Sequence, residues 1–320
     1  MSPIPSIKLS NGVEMPILGL GTWQSTDDAV RQAVEFALTK GGYPLIDTAA
    51  CYGNENVIGE VLADLIKKGA IKREDVFITT KLWTDNLNPK KTVQGAKDCL
   101  ARLGLEKVDL LLAHMCISTN DKFEHEHDVT VEDVWRGLEE VYNLGLARAI
   151  GVSNWNEEQI ERVMKIAKVP IHNVQNELHI YLQQRHLQEV CKKHNISLTS
   201  YGSLGSPGRV NFALPGGQKL NWAPAPDALQ HPYVLELAKK YNKSPAQALI
   251  RYCIDRGIAV IPKSVNEARL KENIDVFDFH LTADELKHFS DEIKLENENR
   301  LFLQDFMIGH PEDPFKNERK

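Results

Sequence analysis

Eight short apolar segments, each followed by an amphipathic helical pattern and with no break in composition, predict one (β/α)8 barrel. The length of 320 residues suits that architecture, which needs about 250 plus insertions. The alternative, a doubly wound sheet, usually opens with Gly-x-Gly-x-x-Gly at its first βα turn. Here Gly19-Leu-Gly21 runs into Thr22-Trp23-Gln24-Ser25 without the third glycine, which favours the barrel.

The elements follow in order. Residues 6–9 and 13–17 flank Asn11-Gly12, a strong hairpin signal, and that hairpin could plug one end of the barrel. Barrel strands are expected at Ile17–Gly21, Leu45–Thr48, Val76–Thr80, Asp109–Ala113, Ala147–Val152, Asn173–Gln175, Ser197–Tyr201 and Ile258–Ile261. Helical periodicity lies near 27–40, 55–68, 89–102, 131–144, 156–167, 184–194, 231–255 and 266–274, the seventh stretch broken near Lys243-Ser244-Pro245. A long Gly, Pro and Ser-rich loop at 202–229 follows strand seven and reads as a lid, punctuated by Leu204, Phe212, Leu214 and Trp222. The tail at 296–320 carries Leu301, Phe302, Leu303, Phe306 and Met307 among charges and is expected over the barrel mouth. The chain is thus read as a single domain over 1–320.

Composition narrows the function. An apolar fraction of 42%, a charged fraction of 26% and a net charge of −6 are those of a soluble globular protein without general nucleic-acid affinity. No run is apolar enough to span a membrane, and the polar start lacks a signal peptide's hydrophobic region, so a cytoplasmic location is expected. Five widely spaced cysteines without a Cys-x-x-Cys pair read as reduced thiols. The sequons at Asn195 and Asn242 read as chance matches, and His125-Glu-His127-Asp128 as a solvated acidic loop rather than a metal site. No symmetric apolar seam suggests an oligomer, and monomer is the default.

In a barrel, residues just past the strand C-termini converge on one face. Taken in order they are Thr22 and Trp23, Asp47 and Tyr52, Lys81 and Trp83, His114, Ser153 and Asn154, Gln175, Tyr201, and Lys263 and Ser264. Asp47 and Lys81 on adjacent strands can pair. A nearby ammonium favours the phenolate of Tyr52, moving its pKa from about 10 toward neutral, so Tyr52 becomes a candidate general acid. His114 can donate to the same oxygen. The set suits reduction of a carbonyl, with hydride from a cofactor because no side chain supplies one.

At these residues the chain resembles the aldo-keto reductases, aldose and aldehyde reductases among them, over nearly its whole length. The matching segments are Gly19-Leu-Gly-Thr-Trp23, Ile46-Asp-Thr-Ala49 with Tyr52, Thr80-Lys-Leu-Trp83, Leu112-Ala-His114, Gly151-Val-Ser-Asn154, Gln175-Asn-Glu177 and Ile261-Pro-Lys-Ser-Val265 continuing to Glu272-Asn273. The resemblance implies an NADPH-dependent TIM-barrel oxidoreductase acting on small aldehydes and ketones. It implies Tyr52 as proton donor, Lys81 and Asp47 tuning it, and His114 positioning the carbonyl. Ser153, Asn154 and Gln175 would hold the carboxamide, Tyr201 would stack on the nicotinamide, and Thr22, Trp23 and Asp47 would border it. The loop Gly202-Ser-Leu-Gly-Ser-Pro-Gly208, through Leu204 and Ser206, resembles the family's belt over the pyrophosphate. Lys263, Ser264, Val265, Asn266, Arg269, Glu272 and Asn273 would take the adenosine end. A helix N-terminus and an Arg fork there suit a 2′-phosphate, hence NADPH over NADH.

Trp23, Tyr52, Trp83, His114, Met115 and Phe302 are the expected substrate wall. The family often has Trp-Pro after the histidine where this chain has Met115-Cys116, and the loop from Cys116 to Thr130 is shorter than in many relatives; both suit a wider pocket. Two other classes compete with the reductase. A non-catalytic nucleotide-binding barrel has no need of Tyr52 and His114 together. A metal-dependent hydrolase needs several ligands at the strand ends, where only Asp47 and His114 qualify and Lys81 would repel the ion.

Overall fold

A computed structural model describes residues 4–212, 220, 222, 224–293 and 298–319. A two-stranded antiparallel hairpin comes first, β1 (Ser6–Lys8) and β2 (Glu14–Pro16), with Ile7 opposite Met15. Its turn uses Gly12 at a φ of 87°, as Asn-Gly predicts. Met15 and Leu9 are buried, and Asn11 Nδ2 donates to the Arg148 carbonyl at 2.9 Å, so the hairpin sits against the starts of the barrel strands.

The barrel then alternates β3 (Leu20–Gly21), α1 (Asp27–Phe36), β4 (Leu45–Asp47), α2 (Glu55–Lys67), β5 (Phe77–Leu82), α3 (Pro89–Leu103), β6 (Val108–Ala113) and α4 (Val131–Asn143). It continues through β7 (Ala147–Ser153), α5 (Glu157–Met164), β8 (Asn173–Glu177), α6 (Arg185–Lys193), β9 (Ser197–Tyr201), α7 (Pro232–Tyr241), α8 (Pro245–Asp255), β10 (Ala259–Val260), α9 (Glu267–Ile274) and α10 (Ala283–Glu292). The strands β3 to β10 pair in parallel in chain order. Bridges Leu18–Val260 and Gly21–Lys263 join first strand to last and close the barrel. Gly21 permits that closure: a Cβ there would lie 2.6 Å from the Ile261 carbonyl oxygen.

Strand interiors such as Ile46, Ile78, Leu111, Ile150, Val174 and Val260 are fully buried, and each helix lays one apolar stripe on them. The break predicted near Lys243-Ser244-Pro245 is real. Asn242 ends α7 in the left-handed region at a φ of 53°, and Ser244 caps α8 in a capping box with Gln247. Asn195 is likewise left-handed at 54°, so both sequon asparagines are explained by backbone conformation. The helix at Ala283–Glu292 was not predicted, although Thr282-x-x-Glu285 forms a capping box that announces it. Leu214 of the expected lid lies outside the described residues. No helix among the described residues is long and apolar enough to cross a membrane.

Candidate active site

Strand β4 ends in Asp47 and delivers Thr48-Ala49 into a single turn, Ala50–Tyr52, closed by Gly53 at a φ of 69°. Asn54 braces this turn by accepting from Thr48 Oγ1 at 2.9 Å and donating to the Thr22 carbonyl at 3.0 Å. Tyr52 is therefore held over the end of the next strand. There Lys81, fully buried, donates to Asp47 Oδ1 at 2.5 Å, to the Thr48 carbonyl at 2.9 Å and to Tyr52 Oη at 3.4 Å. Gln175 donates to the other Asp47 oxygen at 2.8 Å.

Burial raises the Asp47 carboxyl pKa, against the opposing pull of Lys81 and Gln175. Tyr52 departs from expectation. Desolvation, reinforced by Asp47, lifts its phenol well above the ordinary tyrosine value rather than drawing it toward neutral. Burial of the phenol outweighs the Lys81 ammonium 3.4 Å from its oxygen. Burial, followed by the Lys81 charge, holds the His114 imidazole well below its usual pKa and hence neutral.

His114 follows the last residue of β6 and meets Tyr52 and Trp83 edge-on at ring-centroid separations of 5.7 and 5.1 Å. Its carbonyl accepts from Asn154 Nδ2 at 2.9 Å, and its Nδ1 lies 3.4 Å from Cys51 Sγ. Asn154, left-handed at a φ of 61°, also reaches Ser153 Oγ at 3.2 Å and accepts from Tyr201 Oη at 2.5 Å. Thr22, Asp47, Ser153, Asn154, Gln175 and Tyr201 thus come together from the ends of five strands.

Two aromatic groups enclose the mouth. Trp23 packs on Phe212, Trp222 and Phe302 at 5.3, 5.9 and 5.6 Å, and Phe302 also reaches Tyr201 at 5.7 Å. Trp83 packs on Phe306 at 5.6 Å and stacks with Phe123 at 6.5 Å. The lid and the tail therefore do reach the site. The tail is anchored from below by Glu177, whose carboxylate accepts from Leu301 N at 2.6 Å, Phe302 N at 3.0 Å and His179 Nε2 at 2.9 Å. Met115, the residue in place of the family's tryptophan, is almost wholly buried. Cys116 is fully buried and donates to the Glu312 carbonyl at 3.0 Å, an inert thiol.

The histidines at 125 and 127 do not simply float in solvent. They group with His310 of the tail at 5.2–5.4 Å, and His125 Nε2 sits 2.6 Å from the Phe306 carbonyl. No group of three His, Cys, Asp or Glu suited to a metal occurs among the described residues.

At the far end, Asn266 caps α9 by accepting from Arg269 N at 3.1 Å, with Lys263, Val265 and Arg269 exposed around it and Ser264 buried beneath. Glu272 accepts from Ser244 Oγ at 2.5 Å, and Asn273 is buried beside it. Burial lowers the Lys263 pKa, and its ammonium reaches only the Gln24 carbonyl, at 3.4 Å, with no carboxylate partner among the described residues. Beside it, Gln24, Ser25, Thr26, Asn211 and Phe212 line a cavity of about 380 Å³, and Gln24 Nε2 is buried without a hydrogen-bond partner among the described residues. A partly buried cation without a carboxylate partner and an amide without a hydrogen-bond partner, both among the described residues, lie beside an open groove and fit an anionic nucleotide laid between lid and barrel.

Sequence reading missed Cys51, Asn54, Glu177 as tail anchor, and Phe123. Cys51, Asn54 and Glu177 lie within or beside recognisable segments, but their contacts, like those of Phe123, are not encoded in local pattern.

Comparison with known proteins agrees with this geometry. The family model described as "Aldo/keto reductase family" matches residues 17–293. Aldo-keto reductase family 1 member A1-A of Danio rerio is 38% identical, covering 97% of this chain and 98% of its own. The NAD(P)H-dependent D-xylose reductase I,II of Candida tropicalis is 37% identical over 90% of this chain and 92% of its own. Among solved structures, a Bombyx mori aldo-keto reductase in complex with NADP superposes with a TM-score of 0.87 at 35% identity, covering 98% of this chain and all of that one. The aldose reductase of Schistosoma japonicum gives 0.85 at 33%, covering 99% of this chain and all of that one. With its closed barrel and the residues gathered at the barrel's C-terminal mouth, the chain belongs to the aldo/keto reductase family.

Proposed function

We propose that this oxidoreductase reduces aldehydes and ketones to alcohols with NADPH, Tyr52 delivering the proton. The observation that carries the reading is the Asp47–Lys81–Tyr52 chain of contacts beside a neutral His114. NADPH, when bound, supplies the hydride to the carbonyl carbon. Thr22, Trp23, Ser153, Asn154, Gln175 and Tyr201 would hold its nicotinamide end. Leu204 and Ser206 would cover its middle. Lys263, Ser264, Val265, Asn266, Arg269, Glu272 and Asn273 would receive its adenosine end, the exposed cations favouring a 2′-phosphate.

The protein's own part is proton delivery and orientation. Because its phenol is held protonated, Tyr52 is in the donor form at neutral pH. As negative charge develops on the substrate oxygen, Tyr52 Oη gives up its proton, and the Lys81 ammonium stabilises the phenolate left behind. Neutral His114 donates to the same oxygen without competing as an acid. Trp23, Trp83, Phe302, Met115 and the neighbouring aromatics keep water from the reacting centre. The substrate is a small carbonyl compound.

The test is oxidation of NADPH, followed by the absorbance of the reduced nicotinamide, against a panel of aldehydes, ketones and sugars. Tyr52→Phe is expected to lose about 10²–10⁴-fold in kcat while NADPH still binds by fluorescence titration. Binding without turnover in the parent protein would replace the reductase reading with that of a non-catalytic nucleotide-binding barrel.

A further inference from the structure

Neutral imidazole carries one proton, and on which nitrogen it sits decides whether His114 can serve a carbonyl. A carbonyl oxygen only accepts, so the ring nitrogen facing it must hold the proton and the other must be bare. Nδ1 of His114 faces Cys51 Sγ at 3.4 Å, and no other side-chain hydrogen bond of the ring is found among the described residues. Nε2 is left to face the substrate. Holding the proton on Nε2 therefore requires a donor at Nδ1, and the thiol is the group placed to provide it.

We infer that Cys51 is a positioning residue whose S–H donates to His114 Nδ1 and so fixes the tautomer in which Nε2–H points at the substrate oxygen. The inference rests on the proposed role of His114 in carbonyl reduction. Three further observations fit it. Cys51 immediately precedes Tyr52 in the same single turn, so the backbone that aims the proton donor also aims the thiol. Although the residue keeps exposed surface, its sulfur is buried, and that burial pushes the thiol pKa up to about 12, which keeps it a donor rather than a thiolate. Of the five cysteines it alone is exposed, while the other four are packed in the interior. A residue selected only to fill the core would not be expected at that place.

The experiment compares Cys51→Val, which removes the donor at similar volume, with Cys51→Ser, which keeps one. Full-length protein labelled with ¹⁵N at histidine reports which ring nitrogen of His114 is protonated, the signals being assigned by their loss in His114→Gln. The expected result is a bare Nδ1 in the parent and in Cys51→Ser, and a mixture of tautomers in Cys51→Val. Turnover should follow, with kcat falling about three- to tenfold in Cys51→Val for the loss of one weak hydrogen bond. NADPH affinity should be unchanged, and Cys51→Ser should stay close to the parent. A parent His114 protonated on Nδ1, or a Cys51→Val spectrum identical to the parent's, overturns the inference whatever the turnover. Undiminished turnover in Tyr52→Phe would instead overturn the reading of the site, and the tautomer signals would still decide the role of Cys51.

Discussion

Lys81 and Asp47 form the buried ion pair on which the site is built, and a double-mutant cycle measures what holds it. Lys81 has no exposed surface and Asp47 only 2%. Lys81→Met leaves the carboxylate with Gln175 as its one remaining side-chain donor, at 2.8 Å. Asp47→Asn leaves the ammonium with the Thr48 carbonyl, at 2.9 Å, as its main acceptor. Each single change strands a buried charge and should cost about 3–5 kcal/mol. The double variant strands none, so its cost should fall short of the sum by about 2–3 kcal/mol. Urea unfolding followed by tryptophan fluorescence supplies the three differences. All three variants should lose most turnover, because the Lys81 contact to Tyr52 at 3.4 Å needs both the ammonium and the carboxylate that aims it. Additivity to within about 0.5 kcal/mol would refute the argument that the two charges depend on each other.

Three further outcomes follow from the same structure. Tyr43, Tyr52, Tyr201 and Tyr252 all have phenols raised by burial. Since the unfolded chain loses these protons near pH ~10, the folded form holds more protons above that value and stability falls as pH rises through it. Ultraviolet titration should therefore show these four ionising together with unfolding, and a smooth ionisation with the fold intact would count against their burial. Arg269→Ala should weaken NADPH binding about tenfold or more with little effect on NADH; equal losses with both would show that the 2′-phosphate is bound elsewhere. Glu312 accepts from Arg162 at 2.7 and 2.9 Å and from Gln159 at 3.3 Å, pinning the tail whose Phe306 leans on Trp83. Glu312→Ala should raise KM for bulky carbonyls about three- to tenfold at nearly constant kcat, and a fall in kcat alone would place its effect elsewhere.

Much of this protein is legible in local sequence, because the determinants act over a few residues. Strand ends are set by apolar runs meeting turn residues, as where Leu45-Ile46 reaches Asp47. Helix starts are set by caps such as Asn88, Thr130, Asn156, Ser244 and Asn266, each accepting from a backbone amide in the first turn. A barrel topology then carries every strand end to one face, so Asp47, Tyr52, Lys81 and His114 could be assembled without coordinates. The helix at Ala283–Glu292, beyond the end of the repeat, is set equally locally by the Thr282-x-x-Glu285 capping box.

Tertiary structure decided what depends on sums over distant atoms. Desolvation by the whole surround, not the nearest charge, set the direction of the Tyr52 pKa, which sequence reasoning had reversed. Contacts across 63 residues brought Cys51 to His114, and across 124 brought Glu177 to Leu301. The mouth itself is such a product: Trp23, Phe212, Trp222 and Phe302 come from a strand end, a lid and a tail, and no periodicity links them. Residue type and spacing determine which groups reach the end of the barrel. How those groups are protonated, oriented and enclosed is set by packing, because electrostatics and shape are properties of the assembled volume rather than of the chain.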